Sequence, residues 1–390
     1  MNNSTEEIDI IETVLEYCKT GGTHLQPDLM RIPVSEYREQ ARLDEEVQTL
    51  FRRFPIIVGH VSQLAEPGQF ITHDTTGVPM LITRTREGDV KAFLNVCRHR
   101  GARVEGEPCG KATTFSCPYH GWTYDLQGRL RGVRKGQDFG ELEKEDFGLV
   151  ALPAFERFGL IWVRPSPLQP GEELDIDAWL APMAEQWGSL DIEGHVIFES
   201  WALNRKMNWH ISLEGFQEQY HFCWAHKHTA CSAYMDTQGV YVDKYPHVRH
   251  AVPITGIEKL ADQPQSEWSY RKHFMTQNYL FPCNFVQVMT DHVYIHTITP
   301  TATGSCIFQC TMLIPEPPQS EKAERYWRAN YDVVRKVFDE DFAIGEGIQA
   351  GLDSGANEFF TIGRYENCIQ LARKALDDAL AGRLTAARPG

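Results

Sequence analysis

Two short pairs constrain this chain more than anything else in it: Cys97-Arg98-His99 and, 17 residues on, Cys117-Pro118-Tyr119-His120. Each pair offers one thiolate and one imidazole. A two-iron, two-sulfide cluster with two Cys on one iron and two His on the other needs this ligand set. Exchanging two thiolates for neutral imidazoles raises the cluster potential above that of an all-Cys cluster, so the segment reads as an electron-transfer module. The competing reading is a Cys2His2 zinc site. Zinc modules usually pair Cys with Cys and His with His, whereas each pair here mixes the types. Arg100-Gly101 follows the first His and Gly121-Trp122 the second. Glycines there let two loops close tightly and turn amides inward. Trp122 either shields a cluster edge or is a plain core aromatic.

With 390 residues the chain has room for two or three domains, each with a core. A formal net charge of −15 argues against binding a phosphate backbone, and no nucleic acid partner is expected. The start, Met1 to Glu12, is acidic and polar rather than leader-like, and no apolar run reaches 18 residues. A cytoplasmic protein without a membrane partner is therefore expected. The ten Cys are scattered, and without a secretory signal a disulfide framework is not expected. The eight outside the two pairs read as small buried residues, Cys306 and Cys310 on a strand facing a core.

Ser4-Thr5-Glu6-Glu7 has the form of a capping box, and Ile8, Ile11, Val14, Leu15 and Cys18 recur at helical spacing until Gly21-Gly22 stops them. From about Pro55 to Pro165 short strands and turns replace helices. Val78 to Thr85 and Lys91 to Val96 flank a turn, and Asp125 to Gly128 forms another. Pro165-Ser166-Pro167 and Pro170-Gly171 suggest a boundary. Beyond it come strand-like runs (Phe285 to Met289, Val293 to Thr299, Ile307 to Ile314). A long helix capped by Ser320 carries Trp327, Tyr331, Val334, Val337 and Phe338 on one side, and another helix covers Arg364 to Leu380.

A second candidate metal site lies in Asn208-Trp209-His210 through Glu218-Gln219-Tyr220-His221 to His226. His221 and His226 are five apart, about 140° around a regular helix. They can share a metal only if the helix ends or bulges between them. Glu218 and His221, three apart, share a face. By themselves these residues equally describe an amphipathic helix with half-buried polar groups.

Taken in order, C-x-H, x17, C-x2-H and the later N-W…E-x-x-H-x4-H resemble the catalytic α-subunit of Rieske non-haem iron oxygenases over essentially the whole chain. The resemblance implies an α+β protein. A small all-β Rieske domain at 46–165 would be followed by a helix-grip catalytic domain at 166–390, an antiparallel sheet wrapped around helices. An N-terminal helical segment at 1–45 would pack on the catalytic domain. It also implies that Cys97, His99, Cys117 and His120 hold the 2Fe–2S cluster. His221 and His226 would bind mononuclear Fe(II) with a distant carboxylate, the facial triad that leaves positions open for O2. That carboxylate lies ahead of an E-x-x-Q-x-G stretch, matched here by Glu346-Gly347-Ile348-Gln349-Ala350-Gly351, which makes Asp341 the ligand and leaves Asp339 and Glu340 as solvated or supporting groups.

By the same resemblance Glu218 is the acid that carries electrons between subunits of a homotrimer. It would link an iron-ligating His to a Rieske His of the neighbour, assigned to His120, although spacing does not separate that residue from His99. The chain has no G-x-G-x-x-G after a strand, so NAD(P)H would act only through a separate reductase or ferredoxin. The expected activity is hydroxylation of a small aromatic or apolar molecule. The alternative is monooxygenation and demethylation of a quaternary or methylated amine, since Glu rather than Asp at the bridge occurs in members acting on such compounds. Leu213, Phe222, Phe285, Met289 and His296 are the candidate pocket residues, and Trp201, Trp209, Tyr220 and Trp224 could cage a cation.

Overall fold

The computed structural model describes residues 3–352 and 354–389. The chain divides into two compact units that interrupt one another in sequence. One holds the chain through Glu46 together with His195–Arg383; the other holds Val47–Gly194 together with the chain from Leu384.

The second unit is built on small antiparallel sheets. Strands Ala151–Leu152, Val90–Leu94, Val78–Arg84, Gln69–Thr75 and Cys109–Lys111 lie side by side in that order. A three-stranded sheet of Thr114–Ser116, Thr123–Asp125 and Leu130–Gly132 carries the second ligand pair in its first turn. Phe70, Leu81, Phe93, Phe115, Trp122 and Tyr124 form the core, with Cys97 and Cys117 buried in it. Residues 166–194, expected to open the catalytic half, belong to this unit instead. The reason is packing. Trp179 meets Phe54 at 5.5 Å, Trp187 lies 6.3 Å from Trp162, and His60 Nε2 bonds the Ile192 carbonyl at 2.8 Å. The proline-rich stretch thus lies within this unit rather than at its border. Strand Ala387–Pro389, from the far end of the chain, pairs with Glu172–Leu174.

The first unit contains a seven-stranded antiparallel sheet. Its strand order is Val196–Arg205, Ser305–Ile314, Val293–Ala302, Asn284–Val288, Phe274–Leu280, His247–Pro253 and Val240–Lys244. Alternate residues of Ser305–Ile314 point inward, so Cys306, Phe308, Cys310 and Met312 are fully buried. The N-terminal helix Thr5–Thr20 begins with the anticipated capping box on Ser4 and Glu7 and ends at Gly21 in the left-handed region. Its apolar stripe, Ile10, Ile11, Val14 and Leu15, packs on Val240, Ala251, Tyr270 and Phe274.

Two further helices belong to this unit, the 32-residue helix Glu321–Leu352 and the helix Asn367–Leu380. At Gly345 the long helix approaches the short helix Trp209–Glu214 so closely that an added Cβ would sit 2.5 Å from Met207 Sδ. Beneath that short helix, Glu46 is buried and accepts hydrogen bonds from Trp209 Nε1 (2.9 Å) and Arg42 Nε (2.8 Å), with His210 Nε2 2.8 Å away.

Candidate cluster and iron sites

The two cysteine–histidine pairs occupy loops with the same backbone design. The Cys97 amide bonds the Ala102 carbonyl and the Gly101 amide bonds the Cys97 carbonyl, at 2.8 and 2.9 Å; Cys117, Trp122 and Gly121 repeat the pattern at 2.8 and 2.9 Å. Each loop turns on a glycine with positive φ, 78° at Gly101 and 72° at Gly121. The result brings the side chains together. The His99 and His120 rings lie 4.6 Å apart, and Trp122 stacks on His99 at 5.0 Å with the planes 9° apart. The Tyr124 hydroxyl accepts the Arg98 amide at 3.0 Å and lies 3.4 Å from Cys97 Sγ. His99 Nδ1 is buried with no hydrogen-bond partner among the described residues. Burial and then the Cys97 thiol push the Cys117 thiol above its ordinary range. An orphaned imidazole nitrogen beside a buried thiol pair fits a two-iron cluster.

The second site forms where the helix breaks. Asn208 caps the helix Trp209–Glu214 through its side chain. The chain then turns, and the four-residue helix Phe222–Ala225 follows with His221 at its N-cap and His226 at its C-cap. This interruption turns both imidazoles to one side, where the long helix presents Asp341. His226 Nε2 is 2.9 Å and His221 Nε2 3.5 Å from Asp341 Oδ1. Donor atoms of the three residues all lie within 4.8 Å of one another. They form the two-imidazole, one-carboxylate set suited to ferrous iron.

The far nitrogens are held as well. His221 Nδ1 is bonded to Glu218 Oε1, and the His221 amide donates to Glu218 Oε2 at 3.2 Å. His226 Nδ1 meets Glu340 Oε2 at 2.9 Å, and Thr229 Oγ1 donates to the same oxygen at 2.6 Å. Burial alone would lower both imidazoles. For His221 the carboxylates of Glu218 and Asp341 outweigh it, and for His226 those of Asp341 and Glu340, so both sit above the usual histidine range without a metal. A cation is what such a cluster is built to hold.

A cavity of about 190 Å³ opens on His221, His226 and Asp341. Of the expected pocket residues, Phe222 and Met289 line it. The other three do not. Leu213 faces Tyr279, Phe281 and Leu376 instead, Phe285 packs between Phe216 and Tyr279, and His296 bonds Gln287 at 3.1 Å while stacking on Phe216 and Phe308. The four aromatics considered for a cage also lie elsewhere: Trp224 and Tyr220 are exposed, Trp209 bonds Glu46 and Trp201 packs on Tyr331. Phe216, Phe222, Tyr234 and Phe338 take that place, with Met275 and Met289.

Sequence reasoning left Glu340 as a solvated or supporting group; it is a supporting one, the partner of His226 Nδ1. The cavity face of the long helix was missed, although Val334, Val337, Phe338 and Asp341 recur at the spacing of one helical stripe. A second correction concerns cysteine. Cys223 and Cys231 are joined in a disulfide across the turn that carries His226, their Cα atoms 4.7 Å apart, and Cys109 is exposed rather than buried. Proximity within one turn pairs the first two; no wider framework is involved.

Comparison with known families agrees with this geometry. Residues 54–143 match the Rieske [2Fe-2S] domain and residues 193–382 the ring hydroxylating alpha subunit catalytic domain. The chain belongs to the Rieske oxygenase alpha subunits. It is 31% identical over 192 residues to the glycine betaine monooxygenase oxygenase subunit of Pseudomonas aeruginosa, covering 49% of this chain and 43% of that protein. It is 34% identical over 145 residues to the biphenyl 2,3-dioxygenase subunit alpha of Rhodococcus jostii, covering 37% and 31%. These matches span less than half the length of either relative. The fold is that of a quaternary ammonium Rieske monooxygenase, CntA, solved with L-carnitine: TM-score 0.77 at 20% identity, covering 91% of this chain and 97% of that one. Rieske oxygenases are oxidoreductases whose domains hold the cluster and a mononuclear iron, and they receive electrons from a partner reductase or ferredoxin. No helix among the described residues is long and apolar enough to cross a membrane.

Proposed function

We propose that this chain is the terminal oxygenase component for a quaternary ammonium compound, hydroxylating an N-methyl carbon so that the C–N bond then breaks. The observation that carries the reading is the cavity wall. Four aromatic rings and two thioethers line it, with no Lys or Arg among the lining residues. Such a wall attracts a trimethylammonium group through ring faces and offers no fixed positive charge to repel it. The oxygenase subunits similar to this chain include one acting on glycine betaine. The apolar or aromatic substrate expected first suits the same rings but gives no role to the absence of basic groups.

When bound, the cluster supplies single electrons and the iron activates O2. Cys97, His99, Cys117 and His120 would hold the former; His221, His226 and Asp341 the latter. Overall, one oxygen atom enters the C–H bond and the other leaves as water, consuming two electrons and two protons. The hydroxymethyl ammonium product then loses its hydroxyl proton as the C–N bond breaks, releasing formaldehyde and the tertiary amine, which keeps the bonding pair. Glu218 fixes the His221 ring by accepting from Nδ1 and is the residue through which an electron from a neighbouring subunit's cluster would enter. Electrons would come from NAD(P)H through a separate reductase, in a homotrimer.

The test is turnover of glycine betaine, choline and carnitine beside biphenyl and benzoate, with formaldehyde and arene diols assayed together. Formaldehyde from the ammonium compounds is expected. Diols alone would replace this reading with the aromatic one. In the same assay Glu218→Gln should keep both metal centres and lose at least tenfold in turnover; unchanged turnover would remove it from the electron path.

A further inference from the structure

The 190 Å³ cavity is a slot. Asn330, Val333, Val334, Val337, Phe338 and Asp341 form one wall, so it follows the long helix over 12 residues, roughly 16 Å at 1.5 Å rise per step. The triad stands at the Asp341 end. His292 stands at the other: it lines the slot, and its ring lies 5.7 Å from that of Trp327, three residues before Asn330. It sits in the tight turn between strands Asn284–Val288 and Val293–Ala302, where its carbonyl accepts the Met289 amide at 2.9 Å.

This imidazole is 3% exposed, and its two nitrogens are treated differently. Nδ1 is 2.6 Å from Asp291 Oδ1, while Asp291 Oδ2 accepts the Tyr326 hydroxyl at 2.5 Å. Nε2 is buried with no partner among the described residues. Bonding from His292, then from Tyr326, holds the Asp291 carboxyl below its usual range. An ionised carboxylate only accepts, so Nδ1 donates to Asp291, and in the tautomer protonated there Nε2 is a lone-pair acceptor. A buried acceptor without a donor is unfavourable until a donor is supplied, and His292 lines the cavity.

We infer that His292 Nε2 is the specificity-determining acceptor for a hydroxyl group on an elongated substrate, held at the end of the slot remote from the triad. Paired with the ammonium reading above, on which the identity of the oxidised end rests, the ligand class is a trimethylammonium alcohol with several carbons between nitrogen and oxygen. The aromatic wall holds the methyl groups, and the hydrogen bond at His292 sets which of them meets the iron.

The test is calorimetric binding to the full-length holoenzyme with three probes of matched length: 4-trimethylammonio-1-butanol, n-pentyltrimethylammonium and 4-trimethylammoniobutanoate. Wild type should bind the alcohol about tenfold more tightly than the pentyl compound, the discrimination one buried hydrogen bond supplies. His292→Phe should abolish that preference, leave the pentyl Kd within threefold, and raise KM for the alcohol far more than it lowers kcat. His292→Gln, which keeps a hydrogen-bonding amide, should recover part of it. Iron content and the Rieske spectrum report that the variants are intact. Equal weakening of all three probes would make His292 a packing residue and overturn the inference, as would a wild-type preference for the carboxylate. If no ammonium probe binds, the function reading fails separately, and 4-hydroxybiphenyl against 4-methylbiphenyl replaces the pair; absence of a His292-dependent preference there too would sink the assignment.

Discussion

The cluster loops and the iron site solve the same problem, gathering metal donors, at opposite extremes of sequence distance. All four cluster donors fall between Cys97 and His120, in two turns whose backbone hydrogen bonds repeat residue for residue. The iron donors are two imidazoles on one broken helix and a carboxylate more than 100 residues later on another. In the first case local turns suffice to place the donors. In the second, the approach of the long helix at Gly345 and the carboxylates behind each imidazole do the placing. A short-range site should therefore fail only when a donor is lost, and a long-range site also when its supports are lost.

The most severe check removes a donor from each. Cys117→Ser should eliminate the cluster, with its visible and EPR signals and about two irons per chain, yet leave the triad able to take up Fe(II); loss of both centres would mean that they are not independent. Asp341→Asn should do the reverse, with about one iron lost and the Rieske spectrum intact. If iron content holds instead, the donor set is misassigned.

Removing a support discriminates more finely. Glu340→Gln keeps the shape beside His226 Nδ1 and Thr229 but loses the charge. Iron affinity should fall about 10–100-fold, as for other partners of metal-bound histidines, with no change in the cluster, and equilibrium dialysis against a chelator reads it. The smallest effect concerns the scaffold under the site. Burial raises Glu46, but His210, Arg42 and Trp209 outweigh it and hold the carboxyl at about 2. A carboxylate held low in the folded state contributes stability above pH 4.5, and that contribution drains away as pH falls from about 4.5 towards 2. Glu46→Gln should cost about 3 kcal/mol near neutrality and flatten this acid limb of the unfolding profile. An unchanged limb would assign the acid sensitivity elsewhere.

The contrast also explains what could be read from the sequence. Mixed Cys/His pairs name their cofactor because ligand type and spacing are local. The same holds for the capping box at Ser4 and the glycine turns. The five-residue gap between His221 and His226 already required a broken helix, and the chain breaks there. Asp341 was reached only through a family pattern, since nothing in the spacing connects it to residue 221. The substrate wall was half legible. Phe222 and Met289 line the cavity, whereas Leu213, Phe285 and His296 turn away, because which side of a helix or strand faces a hole depends on partners far off in sequence. The prolines near 165 misled for a related reason: Trp179 and Trp187 bind the following segment back to Phe54 and Trp162.

The interleaving of the two units bears on how such a chain is made. The helix Thr5–Thr20 is synthesised well before its partners, and its apolar stripe has no surface to cover until Tyr270 and Phe274 have emerged. Between those events the ribosome delivers the whole segment Val47–Gly194, which contains every cluster donor and nearly all of its own sheets. Closing a short loop costs less entropy than closing one of roughly 230 residues or more, and its ends are available sooner. Order of emergence and order of closure thus agree for the cluster-bearing segment and disagree for the leading helix. The nascent chain can close its cluster loops while the amphipathic helix that preceded them still waits, exposed, for its partner.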